Sequence, residues 1–119
     1  MSEQDKSSNI IQVTQQKEIN DLLDNNYTLC VDFWAPWCGP CLKFAEVFDE
    51  AAFELSDTPN SIKFIKVNID QATAIATEYE INSIPTVLLL KKDQPPKKRV
   101  GSMTKNELVE FIKQQQAQN

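Results

Sequence analysis

The chain has 119 residues, 41% of them hydrophobic, and a net charge of −5, which suits one domain with an ordinary core and speaks against nucleic acid as a partner. It contains no histidine, so Cys-His and Ser-His nucleophile pairs, Cys2His2 zinc sites and C-x-x-C-H haem attachment are excluded. Its two glycines, Gly39 and Gly101, cannot build a glycine-rich phosphate loop.

The start, MSEQDKSSNI, is polar and has no basic segment followed by an apolar run. No secretory leader is expected, and no apolar stretch reaches the length of a membrane helix, so a cytoplasmic protein with no membrane contact is expected. Residues 1–8 and 115–119 are expected to fray. Residues 10–13 form a short apolar run and predict a strand. Thr14 is placed to cap a helix in which Ile19, Leu22 and Leu23 fall at helical spacing. Residues 28–34, TLCVDFW, are almost continuously apolar, as in a strand covered on both faces.

A long helix follows the next turn. Leu42, Ala45, Val47, Phe48, Ala51, Ala52 and Leu55 recur every three or four residues, and residues 56–61, with Pro59, break the pattern. Residues 62–69 alternate and predict a strand. Asp70 is placed to cap a short helix over residues 71–79, and residues 85–90 form another continuous apolar run. The DQPP turn at 93–96 leads to a last strand from Lys98 to Val100. Thr104 and Glu107 make a T-x-x-E capping box before a helix carrying Leu108, Val109, Phe111 and Ile112. The order is β-α-β-α-β-α-β-β-α. It predicts a single α/β domain over residues 1–119: a central mixed five-stranded sheet, parallel where strand and helix alternate and antiparallel at the late hairpin, with about four helices on its two faces.

The chemistry concentrates in VDFWAPWCGPC, residues 31–41. A single C-x-x-C gives two thiolates, whereas a structural zinc site wants four. Cys30 would be a third, but it lies in the apolar strand LCVDF, so no metal site is expected. Pro40 suits a first helical turn, where its missing N–H costs no hydrogen bond. Cys38 then sits at a helix N-terminus, where free N–H groups and the helix dipole favour a thiolate. Cys41 lies one turn along and more covered. The asymmetry predicts an exposed attacking Cys38, which forms a mixed disulfide with a substrate, and a resolving Cys41. Asp32, in the middle of a buried strand, would have a raised pKa and could take the Cys41 proton. The competing reading is a carboxylate satisfied by a structural partner such as Lys66, which lies on the next predicted strand, could serve both readings and is counted with Cys38, Cys41 and Asp32 among the expected catalytic residues.

FWAPWCGPC, KVNID (residues 66–70), SIPT (residues 83–86) and Val100-Gly101 occur in the order and near the spacing of the thioredoxin family, which the chain resembles from Ile10 to Lys113. The resemblance implies the thioredoxin-like three-layer sandwich and a protein-disulfide reductase that maintains redox balance with no bound cofactor. Electrons would come from NADPH through a flavin-containing thioredoxin reductase. Partners would be that reductase and protein disulfides, and the protein would act as a monomer. It further implies a cis bond between Ile84 and Pro85 facing the cysteines, with the Ile84 backbone pairing to substrate. Trp37 would be an exposed docking side chain, Trp34 its inner partner, and Gly101 a point of close substrate approach. Gly39 and Pro40 would shape the loop. Without the resemblance, both tryptophans read as core aromatics, Pro85 as a strand opener and Gly101 as a turn.

The chain departs from the family in four places. Glu46 stands where a helix-kinking proline is usual, which predicts a straighter helix. DQPP lacks the hairpin's usual glycine, Pro36 precedes Trp37, and Cys30 replaces an aliphatic residue as an inert buried thiol. Lys91, Lys92, Lys97, Lys98 and Arg99 flank the hairpin turn. They read either as a solvated turn or as a docking patch for an acidic partner. An oxidase or isomerase, and a binding module without redox turnover, remain as competing functions.

Overall fold

The computed structural model describes residues 10–55 and 62–117. The expected fraying of residues 1–8 and 118–119 and the expected break at 56–61 lie outside the described residues. Five strands, β1 (Ile10–Gln12), β2 (Thr28–Trp34), β3 (Ile62–Asn68), β4 (Thr86–Leu90) and β5 (Lys97–Val100), alternate with four helices, α1 (Gln16–Asp24), α2 (Gly39–Leu55), α3 (Thr73–Glu78) and α4 (Lys105–Ala117). The element order is the expected one, and α4 continues into the stretch expected to fray.

The sheet order is β1-β3-β2-β4-β5. β3 pairs in parallel with β1 and β2, while β4 pairs antiparallel with β2 and β5. Helices α1 and α2 carry the chain back between the parallel strands, and a short turn joins β4 to β5; β4, which follows α3 and is expected to be parallel by strand–helix alternation, instead enters beside β2 in the antiparallel sense. β2 is central, and six of its seven residues are buried. Its alternating side chains serve two cores. Leu29, Val31 and Phe33 pack with Val13, Ile19 and Ile75 on the α1/α3 side. Cys30 packs on the other side with Phe44 and Phe48 of α2 and Leu108 and Ile112 of α4. Cys30 is fully buried, and burial first, with the charge of Asp32 second, pushes its thiol pKa well up, as expected of an inert thiol.

Local details correct three expectations. Thr14 does not cap α1: the N-cap is Gln15, and Glu18 reaches back so that its Oε1 accepts the N–H groups of Thr14 and Gln15, each at 3.0 Å. Asp70 does not cap α3, whose N-cap is Ala72. In α2 the buried stripe runs through Cys41, Phe44, Phe48, Ala51, Ala52 and Leu55. Leu42, one residue off that stripe, is rotated by about 100° and is half exposed. α2 runs without interruption past Glu46. The capping box at α4 forms as expected: Glu107 N–H donates to Thr104 Oγ1 at 3.1 Å, and Thr104 N–H donates to Glu107 Oε1 at 2.9 Å.

Among the described residues three tight turns use residues other than glycine in the left-handed region, the first at Asn26 after α1 with φ 69. In the glycine-free hairpin, Asp93 takes φ 64. After α3, Glu80 takes φ 56; its N–H donates to the Thr77 carbonyl and the Ile81 N–H to the Ala76 carbonyl. This is a Schellman close to the helix, at the position where glycine avoids the Cβ penalty. Glu80→Gly is expected to raise stability by about 0.5–1 kcal/mol, read as a higher urea midpoint at unchanged slope. A lower midpoint would show that the Glu80 side chain contributes more than its backbone costs.

Candidate active site

β2 ends at Trp34, and a turn through Pro36 and Trp37 delivers Cys38 to the start of α2. Cys38 N–H donates to the Ala35 carbonyl and the Cys38 carbonyl accepts from Leu42 N–H, both at 3.2 Å. Pro40 lies in the first turn of α2, where no hydrogen bond is lost to it. A Cβ at Gly39 would meet nothing within 4 Å. Cys38 and Cys41 are joined as a disulfide, their Cα atoms 5.2 Å apart. The Cys41 N–H points at Cys38 Sγ, 3.2 Å away, which stabilises negative charge on that sulfur.

Cys38 is 7% exposed and Cys41 1%. The order of accessibility is the expected one, but Cys38 is less open than the sequence suggests. The reason is packing: the two cysteines and Ala35 form a small cluster closed by Trp34, Ile69 and Ile84.

The Ile84–Pro85 bond is cis, and the Ile84 carbonyl oxygen lies 3.9 Å from Cys38 Sγ. Gly101 is tied to this loop, its N–H donating to the Pro85 carbonyl at 2.8 Å. Its φ of 95 favours glycine, and the space a Cβ would take is open. Beside the start of α2 lies an open apolar groove of about 660 Å³, lined by Pro40, Phe44, Val47 and Met103 together with Lys43 and Glu107.

Asp32 is fully buried at the centre of β2, in register with Lys66 of β3 and Val87 of β4. Lys66 Nζ lies 3.8 Å from Asp32 Oδ2, too far for a hydrogen bond, and among the described residues neither carboxylate oxygen has a hydrogen-bond partner. The lysine therefore acts through its charge. Burial pushes the Asp32 pKa up to about 7, with Lys66 opposing the rise and Asp49 of α2 adding to it. Lys66 Nζ also lies 4.9 Å from the centre of the Trp34 ring, a cation–π contact.

The expected site residues thus fall into three groups. Cys38, Cys41, Trp34 and Ile84 meet in one apolar cluster. Asp32 and Lys66 form a buried pair in the sheet, with the Lys66 ammonium over Trp34. Pro85 and Gly101 lock together beside the cysteines. Trp37 stands apart at the surface, 68% exposed. The sequence reading missed Ala35 and Ile69, whose apolar character carries no site signal. It also mistook Asp70, which bonds to Trp37.

Fold and site together define a protein that cycles between a dithiol and a disulfide at the mouth of an α/β sandwich. The thioredoxin family model matches residues 9–114. A thioredoxin of Mycoplasmoides gallisepticum is 43% identical over 101 residues, covering 85% of this chain and 97% of the relative. One from Rickettsia prowazekii is 38% identical over 100 residues, covering 84% and 92%. The crystal structure of oxidised mitochondrial thioredoxin 3 from Saccharomyces cerevisiae superposes with a TM-score of 0.77 at 29% identity, covering 92% of this chain and 99% of that one. The chain belongs to the thioredoxin family and is a thiol–disulfide oxidoreductase.

Asp32 sets a pH dependence whose sign is fixed. The folded protein holds the proton up to about pH 7, whereas an unfolded carboxyl releases it near pH 4. Between those values the folded state binds more protons than the unfolded one, so this group's contribution to stability falls as pH rises through that window. Asp32→Asn is expected to be more stable than wild type above pH 7, by up to roughly 4 kcal/mol, and the difference should shrink towards pH 4. Urea unfolding at pH 4, 6 and 8 checks this. A gap independent of pH would mean that Asp32 ionises freely in the folded state.

Proposed function

We propose that this protein reduces disulfides in other proteins, with Cys38 as nucleophile, Cys41 as resolving thiol and Asp32 as proton acceptor. The Cys38 thiolate attacks one sulfur of a substrate disulfide, forms a mixed disulfide and expels the other sulfur as a thiolate. Cys41 then gives up its proton and attacks Cys38 Sγ. The Cys38–Cys41 disulfide forms, the second substrate sulfur leaves as a thiolate, and two electrons have passed to the substrate. The observation that carries this reading is the Cys41 N–H aimed at Cys38 Sγ at 3.2 Å. It stabilises a thiolate on the more accessible of the two sulfurs.

Asp32 suits the proton step because its pKa of about 7 lets it both accept and return a proton near neutral pH. Burial sets that value, and the charge of Lys66 moderates it. The loop at Ile84 and Pro85 and the open space at Gly101 would receive an extended substrate backbone, with Trp37 as the docking side chain. The cysteine pair itself carries the electrons, so no bound cofactor is needed. In this reading electrons arrive from NADPH through a flavin-containing thioredoxin reductase, and the protein works as a cytoplasmic monomer in redox homeostasis. No helix among the described residues is long and apolar enough to cross a membrane.

The potential of the Cys38–Cys41 couple, measured against dithiothreitol with tryptophan fluorescence, is expected to be strongly reducing; an oxidising value would favour an oxidase or isomerase. Cys38→Ser is expected to abolish disulfide reduction, and Cys41→Ser to accumulate mixed disulfides on non-reducing gels. Release from the mixed disulfide should quicken as pH rises through about 7, since only the ionised carboxylate accepts a proton. Asp32→Asn should be slower and lack that inflection. Identical pH profiles for the two proteins would remove Asp32 from the mechanism.

A further inference from the structure

Trp37 immediately precedes Cys38, and at 68% exposure it is the most open of the large apolar side chains among the described residues. An exposed indole on a turn ordinarily moves among several rotamers. This one is held: its Nε1–H donates to both carboxylate oxygens of Asp70, at 3.0 and 3.3 Å. The acceptor is held in turn. Asp70 N–H donates to Asn68 Oδ1 at 2.9 Å, and Gln71 and Ala72 N–H both donate to the Asn68 carbonyl at 3.0 Å. Ile69 N–H donates to the Trp34 carbonyl at 2.9 Å, and the Ile69 side chain packs on the cysteine pair. The turn that carries Asp70 is therefore fixed to the same cluster as the sulfurs. The carboxylate is not spent elsewhere: α3 begins after N-cap Ala72, and among the described residues no lysine or arginine pairs with Asp70.

We propose that Asp70 is a positioning residue for protein disulfides, holding the Trp37 indole as a fixed apolar plate beside Cys38. The proposal rests on the reductase reading, with Trp37 as the docking side chain. A hydrogen bond to a charged acceptor is stronger than a neutral one, and a ring ordered before binding spares the substrate the entropy of ordering it. A polypeptide that crosses Trp37 to reach Cys38 gains from this plate. A small aliphatic disulfide, which meets only the sulfur, does not.

The test compares insulin with bis(2-hydroxyethyl) disulfide as substrates. Asp70→Ala is expected to raise KM for insulin about fivefold, with kcat within about twofold, because only ground-state and transition-state binding in common is lost. Its rate with the small disulfide should match wild type. Asp70→Asn, which keeps one acceptor oxygen, should recover most of the loss. Trp37→Phe, which keeps an aromatic ring but has no N–H, should raise KM for insulin similarly, and adding Asp70→Ala to it should cost nothing more. The Trp37 indole N–H resonance should move upfield in Asp70→Ala. The proposal is overturned by an unchanged KM for insulin in Asp70→Ala, by equal losses on the two substrates, or by additive losses in the double variant. A wild-type protein that reduces neither disulfide overturns the reductase reading itself, a result distinct from any of these.

Discussion

A carboxyl group with no hydrogen-bond partner among the described residues stands at the centre of the middle strand, and the rest of the site is arranged around it. Asp32 is fully buried, with its nearest cation 3.8 Å away. In water its charge would be solvated on all sides; here it is removed from solvent in the middle of the sheet. Lys66 stands on the neighbouring parallel strand in direct register, close enough to moderate the desolvation and too far to cancel it. The balance leaves the group near its midpoint at neutral pH. A shorter ion pair would hold it ionised, and a wholly apolar site would hold it protonated. In either case it could not exchange a proton readily near pH 7.

The sulfur end of the site depends on backbone more than on side chains. The Cys41 N–H, the Ile84 carbonyl and the Pro85–Gly101 hydrogen bond come from three segments distant in sequence. The sheet brings them together because β4 pairs antiparallel with both β2 and β5, which sets the loop before β4 beside the C-terminal ends of β2 and β5. A site built this way tolerates changes in the surrounding side chains provided that strand order and register persist. It is also consistent with kinship to relatives that share well under half of the sequence.

Much of this architecture is legible in the sequence. The element order follows from periodicity, because each segment's apolar pattern matches the number of faces it buries: β2 is covered on both, while α2 carries a single stripe. The cysteine pair, Asp32, Lys66 and the loop at Pro85 all stand out as residues to find near one another. Local reasoning fails for groups whose partners lie far along the chain. Asp70 looks like a helix cap because an acidic residue before a helix usually is one, and nothing in the sequence shows an indole 33 residues earlier. Thr14 looks like a cap for the same reason, and Glu18 takes the donors instead. Composition assigns Leu42 inward, although the stripe beginning at Cys41 leaves it off the buried face. The tight packing around Cys38 is equally hidden, since it depends on Ile69 and Ile84 arriving from other elements.

The two edges of the sheet bear on how the protein behaves when crowded. Among the described residues β1 has three, and β5 reads Lys97-Lys98-Arg99-Val100 with all four exposed. A short strand offers few open backbone groups, and a run of cations repels a like strand laid beside it, so both edges resist the edge-to-edge growth that leads to fibrils. Edges closed in this way limit recruitment of the sheet into aggregates of other chains. The basic hairpin, which the sequence offers either as a solvated turn or as a docking patch for an acidic partner, supplies the cations of the β5 edge. That charge lies on the sheet edge, away from the cysteine pair at the start of α2.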